Sequence, residues 1–243
     1  MERINILDVF FDVTTQVKVL DALEEFLSSS KNHLVFTPNP EGVMQAKRNP
    51  EFKEALNNAD LSLADGTGIV IASKLWKNKL PERVRGVDTI FALFQKLSLN
   101  EKKFTAYFLG GEPGIAEEAK IKMENKYSFL NVVGFHHGFF DDDEKIIDDI
   151  KMLSPDILLV CTGMPRAELW SYRNKENLNT KITMCLGGTL NIMAGRVQMS
   201  PKIMRKLGLE WLNRLWREPR RFFRMLDIPR FVFAVLIRRL FKW

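Results

Sequence analysis

Asp65 sits between an apolar stretch, Leu61-Ser62-Leu63-Ala64, and three small residues, Gly66-Thr67-Gly68. A carboxylate at the end of a buried strand suits a general base. The glycines are expected to leave room for a ligand beside it. The competing reading is an N-cap for a helix over Ile69–Lys77. A basic pair follows in ERVRGVD (82–88), where Arg83 or Arg85 can neutralise a leaving diphosphate with a bidentate guanidinium. Without further information, a solvated surface arginine is the better reading of that pair. LGGEPG (109–114) and LGGTLNIMAG (186–195) are glycine turns leading from a strand into a helix. Such turns bring backbone N–H groups close to a diphosphate, or simply satisfy a tight turn that needs positive φ. Neither is a GxGxxG fingerprint or a P-loop.

The acidic run FFDDDE (139–144) contains a DxD, the pattern that can hold a metal against a sugar nucleotide. Its place just before a helix favours capping and the helix dipole instead, so no metal site is assigned. His136 and His137 are adjacent, and neighbours on a strand point to opposite faces, so the two imidazoles do not converge on one metal. They mark a loop at the rim of a nucleotide site, with His136 the candidate contact.

The elements that must carry these residues alternate. Candidate strands are Leu34–Thr37, Leu61–Ala64, Thr105–Leu109, Asn131–Phe135, Ile157–Cys161 and Ile182–Leu186. They are apolar on both parities, as strands covered on two faces should be. Helical patterns lie between them, over Val17–Ser28, Pro50–Ala59, Ile69–Lys77, Val87–Leu97, Pro113–Tyr127, Asp143–Leu153 and Pro165–Asn177. This alternation predicts an α/β fold, a Rossmann-like and largely parallel sheet flanked by helices. Ligands of such sheets bind outside the carboxyl ends of the strands. Thr37-Pro38-Asn39, Asp65, Gly110-Gly111, Gly163-Met164-Pro165 and Gly187-Gly188 all fall there.

The chain of 243 residues is long enough to bury a sizeable core. Its two cysteines, Cys161 and Cys185, lie inside apolar runs and read as buried thiols. The N-terminal MERINILDVFFDV has early acids and does not read as a signal peptide. No apolar run is long enough to span a bilayer. The net charge of +6 hides an asymmetry. From Arg196 onward 13 Lys/Arg oppose 3 Asp/Glu, whereas the preceding 195 residues carry 23 basic and 27 acidic side chains. Two parts are therefore expected, a catalytic core over residues 1–195 and a basic helical appendage over 196–243. In the appendage Arg214, Arg217, Arg221 and Arg224 alternate with Trp211, Leu212, Leu215, Phe222 and Phe223, a pattern for lying on an anionic membrane surface.

Taken together, TPNPEGV (37–43), LADGTGIV (63–70), ERVRGVD, LGGEPG, GFHHGFF (134–140), GMPRAELW (163–170) and the long block 186–221 resemble the WecG/TagA/CpsF family of bacterial glycosyltransferases. The likeness runs through nearly the whole chain in family order. It is nearest to the N-acetylmannosaminyltransferases of wall teichoic acid synthesis. The resemblance implies inverting transfer of N-acetylmannosamine from UDP-N-acetylmannosamine to the 4-hydroxyl of N-acetylglucosamine on undecaprenyl diphosphate, with no metal and no cofactor. It implies Asp65 as general base, Thr37 and Asn39 in the donor-sugar pocket, and Arg83 on the departing diphosphate. Gly66, Gly110, Gly111, His136, Gly163, Pro165, Glu168, Gly187, Gly188 and Asn191 are implied at the substrate and UDP site. It also implies a peripheral enzyme on the cytoplasmic face of the plasma membrane, its tail arginines near the acceptor. Two positions depart from the family pattern. Ala167 stands where G-x-P-x-Q-E has glutamine, an expected loss of a ligand hydrogen bond and of activity, and Asn191 stands where many relatives carry aspartate.

Other classes fit less well. A nucleic-acid-binding protein would use the basic tail, but large aliphatic and aromatic residues interleave its arginines. A nicotinamide-dependent oxidoreductase lacks its glycine fingerprint. The nearer alternative keeps the chemistry and changes the donor to UDP-N-acetylmannosaminuronate, which would want an additional cation near the sugar. A mobile tail is compatible with a homo-oligomer in solution that dissociates on the membrane.

Overall fold

The computed structural model describes residues 1–75, 79–201, 203–204, 210–217 and 222–241. Its centre is a six-stranded parallel sheet in the order β4-β3-β8-β7-β5-β6. The strands are β3 (His33–Phe36), β4 (Leu61–Ser62), β5 (Phe104–Gly110), β6 (Leu130–His136), β7 (Ile157–Cys161) and β8 (Ile182–Cys185). Alternate residues of the four inner strands feed two different cores, which is why those strands read as apolar on both parities. Leu34, Phe36, Tyr107, Leu109, Leu158 and Val160 pack on one face. Val35, Ala106, Phe108, Ile157 and Leu159 pack on the other.

Helices cover both faces. The second face carries α1 (Gln16–Leu27), α5 (Gly86–Leu99), α6 (Ile115–Lys126) and α9 (Thr189–Met193). The first carries α2 (Pro40–Arg48), α3 (Pro50–Asn57), α4 (Thr67–Ser73), α7 (Glu144–Leu153) and α8 (Arg166–Arg173). Helix α2 was not expected, because TPNPEGV reads as a ligand loop. Its start is set by an Asn-Pro pair. Asn39 Oδ1 accepts from the Gly42 amide at 2.9 Å, and Pro40 fills the first turn, where no N–H is needed. Asn49-Pro50 repeats the device for α3, with Asn49 Oδ1 on the Phe52 amide at 3.1 Å.

The N-terminus forms an antiparallel hairpin, β1 (Arg3–Ile6) and β2 (Val9–Asp12), also absent from the expected strands. Its turn places Leu7 and Asp8 at positive φ, a cost offset by burying Ile4, Ile6, Val9 and Phe11. Asp12 then accepts from the Ser62 amide at 2.8 Å and pins the hairpin to β4.

Beyond residue 195 the described residues form α10 (Glu210–Arg217), α11 (Phe222–Met225) and α12 (Asp227–Phe241). Helix α12 is docked on the body of the fold. Phe231 and Val235, one turn apart, are buried in the first-face core, against α2 and α4. Arg48 of α2 grips Asp227 with two hydrogen bonds at 3.0 and 2.5 Å. Among the described residues no helix is long and apolar enough to cross a membrane.

Candidate active site

The turns that follow the parallel strands share one edge of the sheet, so topology gathers residues far apart in the chain. Asp65 follows β4. It does not cap α4, whose N-cap is Gly66 with no side-chain cap bond, so the capping reading fails. The carboxylate instead faces Arg83, whose Nη2 lies 3.3 Å from Asp65 Oδ1. The small residues beside Asp65 have a packing reason. A Cβ on Gly66 would lie 2.8 Å from Pro40 Cδ, and one on Gly68 would lie 2.9 Å from Pro40 Cγ. The room expected for a ligand is thus taken up by the first turn of α2, which brings Asn39 and Asp65 to neighbouring turns.

Arg83 has a second partner that nothing in the local sequence announces. Glu210 of α10 contacts Arg83 through one carboxylate oxygen and Arg85 Nη2 through the other, the latter at 2.5 Å. Arg85 also holds Asp88 at 2.7 Å. Glu210 is buried, 125 residues from Arg85 in the chain. Arg83 therefore bridges an acid of the core and an acid of the C-terminal segment. The local signal for Glu210 was only a lone acid in a basic stretch.

The remaining candidates distribute along the same edge. Thr37 Oγ1 donates to the carbonyl of Cys185 at 3.2 Å, tying the tips of β3 and β8 together. Asn39 spends its side-chain oxygen on the α2 cap. Among the described residues, Gly163, Gly187 and Gly188 have nothing within 4 Å of where a side chain would be, which leaves backbone there for an incoming group. Gly110 and Gly111 adopt φ of +140° and +75°, and a Cβ at Gly110 would strike the Cys161 backbone at 2.5 Å. The Gly138 amide donates to the Gly111 carbonyl at 2.8 Å, which lays the segment after β6 against that turn. His136 ends β6, its Nδ1 2.8 Å from the His137 carbonyl oxygen. Asn191 lies in α9, and its carbonyl accepts the amides of Arg196 and Val197 at 2.9 and 3.1 Å.

Helix α8 starts just after Pro165. Ala167 is only 1% exposed and belongs to the first-face core, so it adds no polar group to the crevice. Glu168 is also buried. Burial pushes its carboxyl up to about 7, and its Oε2 has no hydrogen-bond partner among the described residues. In the acidic run, Asp143 at the N-cap position of α7 makes no cap bond. It accepts from Trp170 Nε1 at 2.6 Å, while Asp142 takes the Glu144 amide at 3.0 Å. The capping role thus falls to Asp142 alone.

Arg224 of α11 reaches the same edge. Its Nε donates to Glu41 at 2.5 Å, and its Nη2 lies 3.5 Å from the Met164 carbonyl. Arg221 lies outside the described residues, as do the side chains of Arg214 and Arg217 in α10. An open cleft of about 660 Å³ lies at the opposite edge, lined by Asn32, His33, Asp60 and Lys175. It has no glycine turn, and Lys175 already pairs with Asp60 at 2.9 Å.

An acid–arginine pair beside open glycine turns at the strand ends fits transfer of a group from a diphosphate leaving group. A model of the family described as "Glycosyl transferase WecG/TagA/CpsF family" matches residues 4–243. Two Staphylococcus aureus proteins, of strains MRSA252 and NCTC 8325 / PS 47, are each 30% identical over 236 residues, or 96% of this chain and 92% of the relative. Both are named N-acetylglucosaminyldiphosphoundecaprenol N-acetyl-beta-D-mannosaminyltransferase.

Proposed function

The chain belongs to the WecG/TagA/CpsF family of glycosyltransferases, and from that premise we propose that it joins N-acetylmannosamine from UDP-N-acetylmannosamine to the 4-hydroxyl of N-acetylglucosamine on undecaprenyl diphosphate, in wall teichoic acid linkage-unit synthesis. The observation that carries the chemical part is the Asp65–Arg83 pair at the ends of the parallel strands. Asp65 takes the proton of the acceptor hydroxyl. The freed oxygen attacks the anomeric carbon from the face opposite UDP, the bond from that carbon to the diphosphate oxygen breaks, and configuration inverts. Arg83 turns toward the departing diphosphate and offsets its growing charge. Thr37 and Asn39 border the sugar. The turns at Gly110-Gly111 and Gly187-Gly188 offer backbone to the nucleotide.

The acceptor is a membrane lipid, so the enzyme must work at a surface. The reading of a peripheral enzyme on the cytoplasmic leaflet is supported by the outward side of the C-terminal helices. Trp216, Phe223, Phe233 and Leu240 are all more than three-fifths exposed, in a segment with ten more basic than acidic residues. Apolar side chains set among arginines suit the interface of an anionic bilayer.

The test is release of UDP from UDP-N-acetylmannosamine by the full chain on vesicles, with and without the lipid-linked acceptor. Acceptor-dependent release that falls by about 10²-fold or more in Asp65→Asn, with UDP still bound, is the expected result. Release independent of acceptor, or unaffected by Asp65→Asn, would overturn the assignment.

A further inference from the structure

Gly138, Phe140 and Asp143 lie in a segment that has no regular structure of its own, between the end of β6 and the start of α7. Helix α8, which begins after the turn that ends β7, holds this segment from the other side of β5. Arg166 Nη1 donates to the Gly138 carbonyl at 2.9 Å, and its Nη2 donates to the Phe140 carbonyl at 2.8 Å. The guanidinium also lies over the Phe140 ring, 4.4 Å from its centre. One helical turn on, Trp170 Nε1 donates to Asp143 at 2.6 Å and fixes the segment's far end.

In the sheet β5 lies between β7 and β6, so this grip spans the Gly110-Gly111 turn. What it presses there is Gly138. The Gly138 amide bonds the Gly111 carbonyl, and a Cβ at Gly138 would come within 3.3 Å of the Gly110 Cα and the Gly111 nitrogen. Arg166 differs from the arginines of the catalytic pair. Arg83 and Arg85 are offset by Asp65, Asp88 and Glu210, whereas no carboxylate pairs with Arg166 among the described residues. Its planar fork is spent on two carbonyls of one loop, a geometry that a lysine ammonium does not reproduce.

We propose that Arg166 is a positioning residue for the nucleotide end of the donor site: by clamping the Gly138–Phe140 carbonyls it keeps that segment seated on the Gly110-Gly111 turn, and so sets affinity for the nucleoside diphosphate. This rests on the UDP-sugar reading above. The clamp acts on binding of the donor, not on the displacement itself, so its loss raises KM for the donor and leaves turnover at saturation nearly unchanged.

The experiment compares the full chain with Arg166→Ala and Arg166→Lys. UDP affinity is read by calorimetry, steady-state constants by UDP release, and amide exchange of residues 138–140 by mass spectrometry without ligand. Arg166→Ala is expected to weaken UDP about tenfold and to speed exchange at 138–140, with kcat within about threefold of the parent. Arg166→Lys should lose nearly as much affinity. Full recovery in Arg166→Lys would mean that charge alone matters and would overturn the clamp. Unchanged exchange in Arg166→Ala, or a fall in kcat at constant KM, would do the same. If the parent chain binds no UDP, the donor reading fails, while exchange at 138–140 still decides whether the clamp exists. Should Arg166→Ala not fold, Arg166→Lys and Trp170→Phe, which releases the other end, carry the same comparison.

Discussion

Of two buried acids, Glu168 makes stability depend on pH and Glu210 ties two segments together. Glu168, pushed up to about 7 by burial, holds a proton that the unfolded chain releases above its ordinary value of 4.5. The folded state therefore binds more protons between those values, and stability falls as pH rises from about 4.5 to about 7 and then levels. The whole loss is on the order of 3 kcal/mol, at 1.36 kcal/mol per unit. Urea unfolding at pH 5 and pH 8 should show a smaller drop in Glu168→Gln than in the parent chain; equal drops would remove Glu168 as the cause. Glu210 serves two guanidinium groups, Arg83 and Arg85. Glu210→Ala removes the carboxylate that both share in a mostly buried setting, while Asp65 still faces Arg83 and Asp88 still holds Arg85. It should cost about 2 kcal/mol in chemical denaturation, whereas an exposed pair would cost less than about 1 kcal/mol.

At the scale of elements, α12 is held by an apolar stripe and by ion pairs near its two ends, Arg48–Asp227 and Arg238–Asp8. Phe231 is 1% exposed and Val235 4%. Truncating the ring in Phe231→Ala should lower unfolding free energy by about 3 kcal/mol, the usual cost of emptying a phenylalanine site. The Arg48–Asp227 bond holds the Asp227 carboxyl below its ordinary value. Its contribution is present above that value and is lost as pH falls through the folded one. Asp227→Asn should thus make α12 more open to proteolysis near neutral pH, and the difference from the parent chain should shrink in acid. Equal cleavage at neutral pH would show that the Arg48–Asp227 pair does not hold the helix. This docking also bears on truncation, since removing residues after Gly195 takes Phe231 and Val235 out of the core.

For the whole molecule, charge and apolar exposure coincide at the C-terminal helices. Attraction to an anionic bilayer falls with salt, while burial of Trp and Phe does not. Sedimentation with vesicles containing anionic lipid should bind the parent chain at low salt and lose much of it at high salt. Replacing Trp216 and Phe223 by serine should weaken binding tenfold or more on an order-of-magnitude reckoning, because each ring contributes burial at the interface. Binding unchanged by both substitutions would place the docking surface elsewhere.

What the sequence determined by itself was periodic or local. Six strand positions and the parallel α/β class were legible because apolar residues on both parities require covering on both faces. The turns that could meet a ligand were legible because strand ends and glycines locate them. Asp65 stood out as a chemistry-bearing type, and Arg83 was singled out by the family resemblance that ran through the surrounding stretches. The tertiary structure decided what depends on approach between distant segments. It placed Arg83 against Asp65 and made Glu210 a partner of both arginines across 125 residues. It filled the space beside Gly66 and Gly68 with Pro40, enclosed Ala167 in apolar packing, and turned Arg166 toward a loop two strands away. It also sank one stripe of a basic, membrane-like helix into the core. No local pattern encodes these, because an ion pair or a close contact is a property of two chain segments, and only the fold fixes the distance between them.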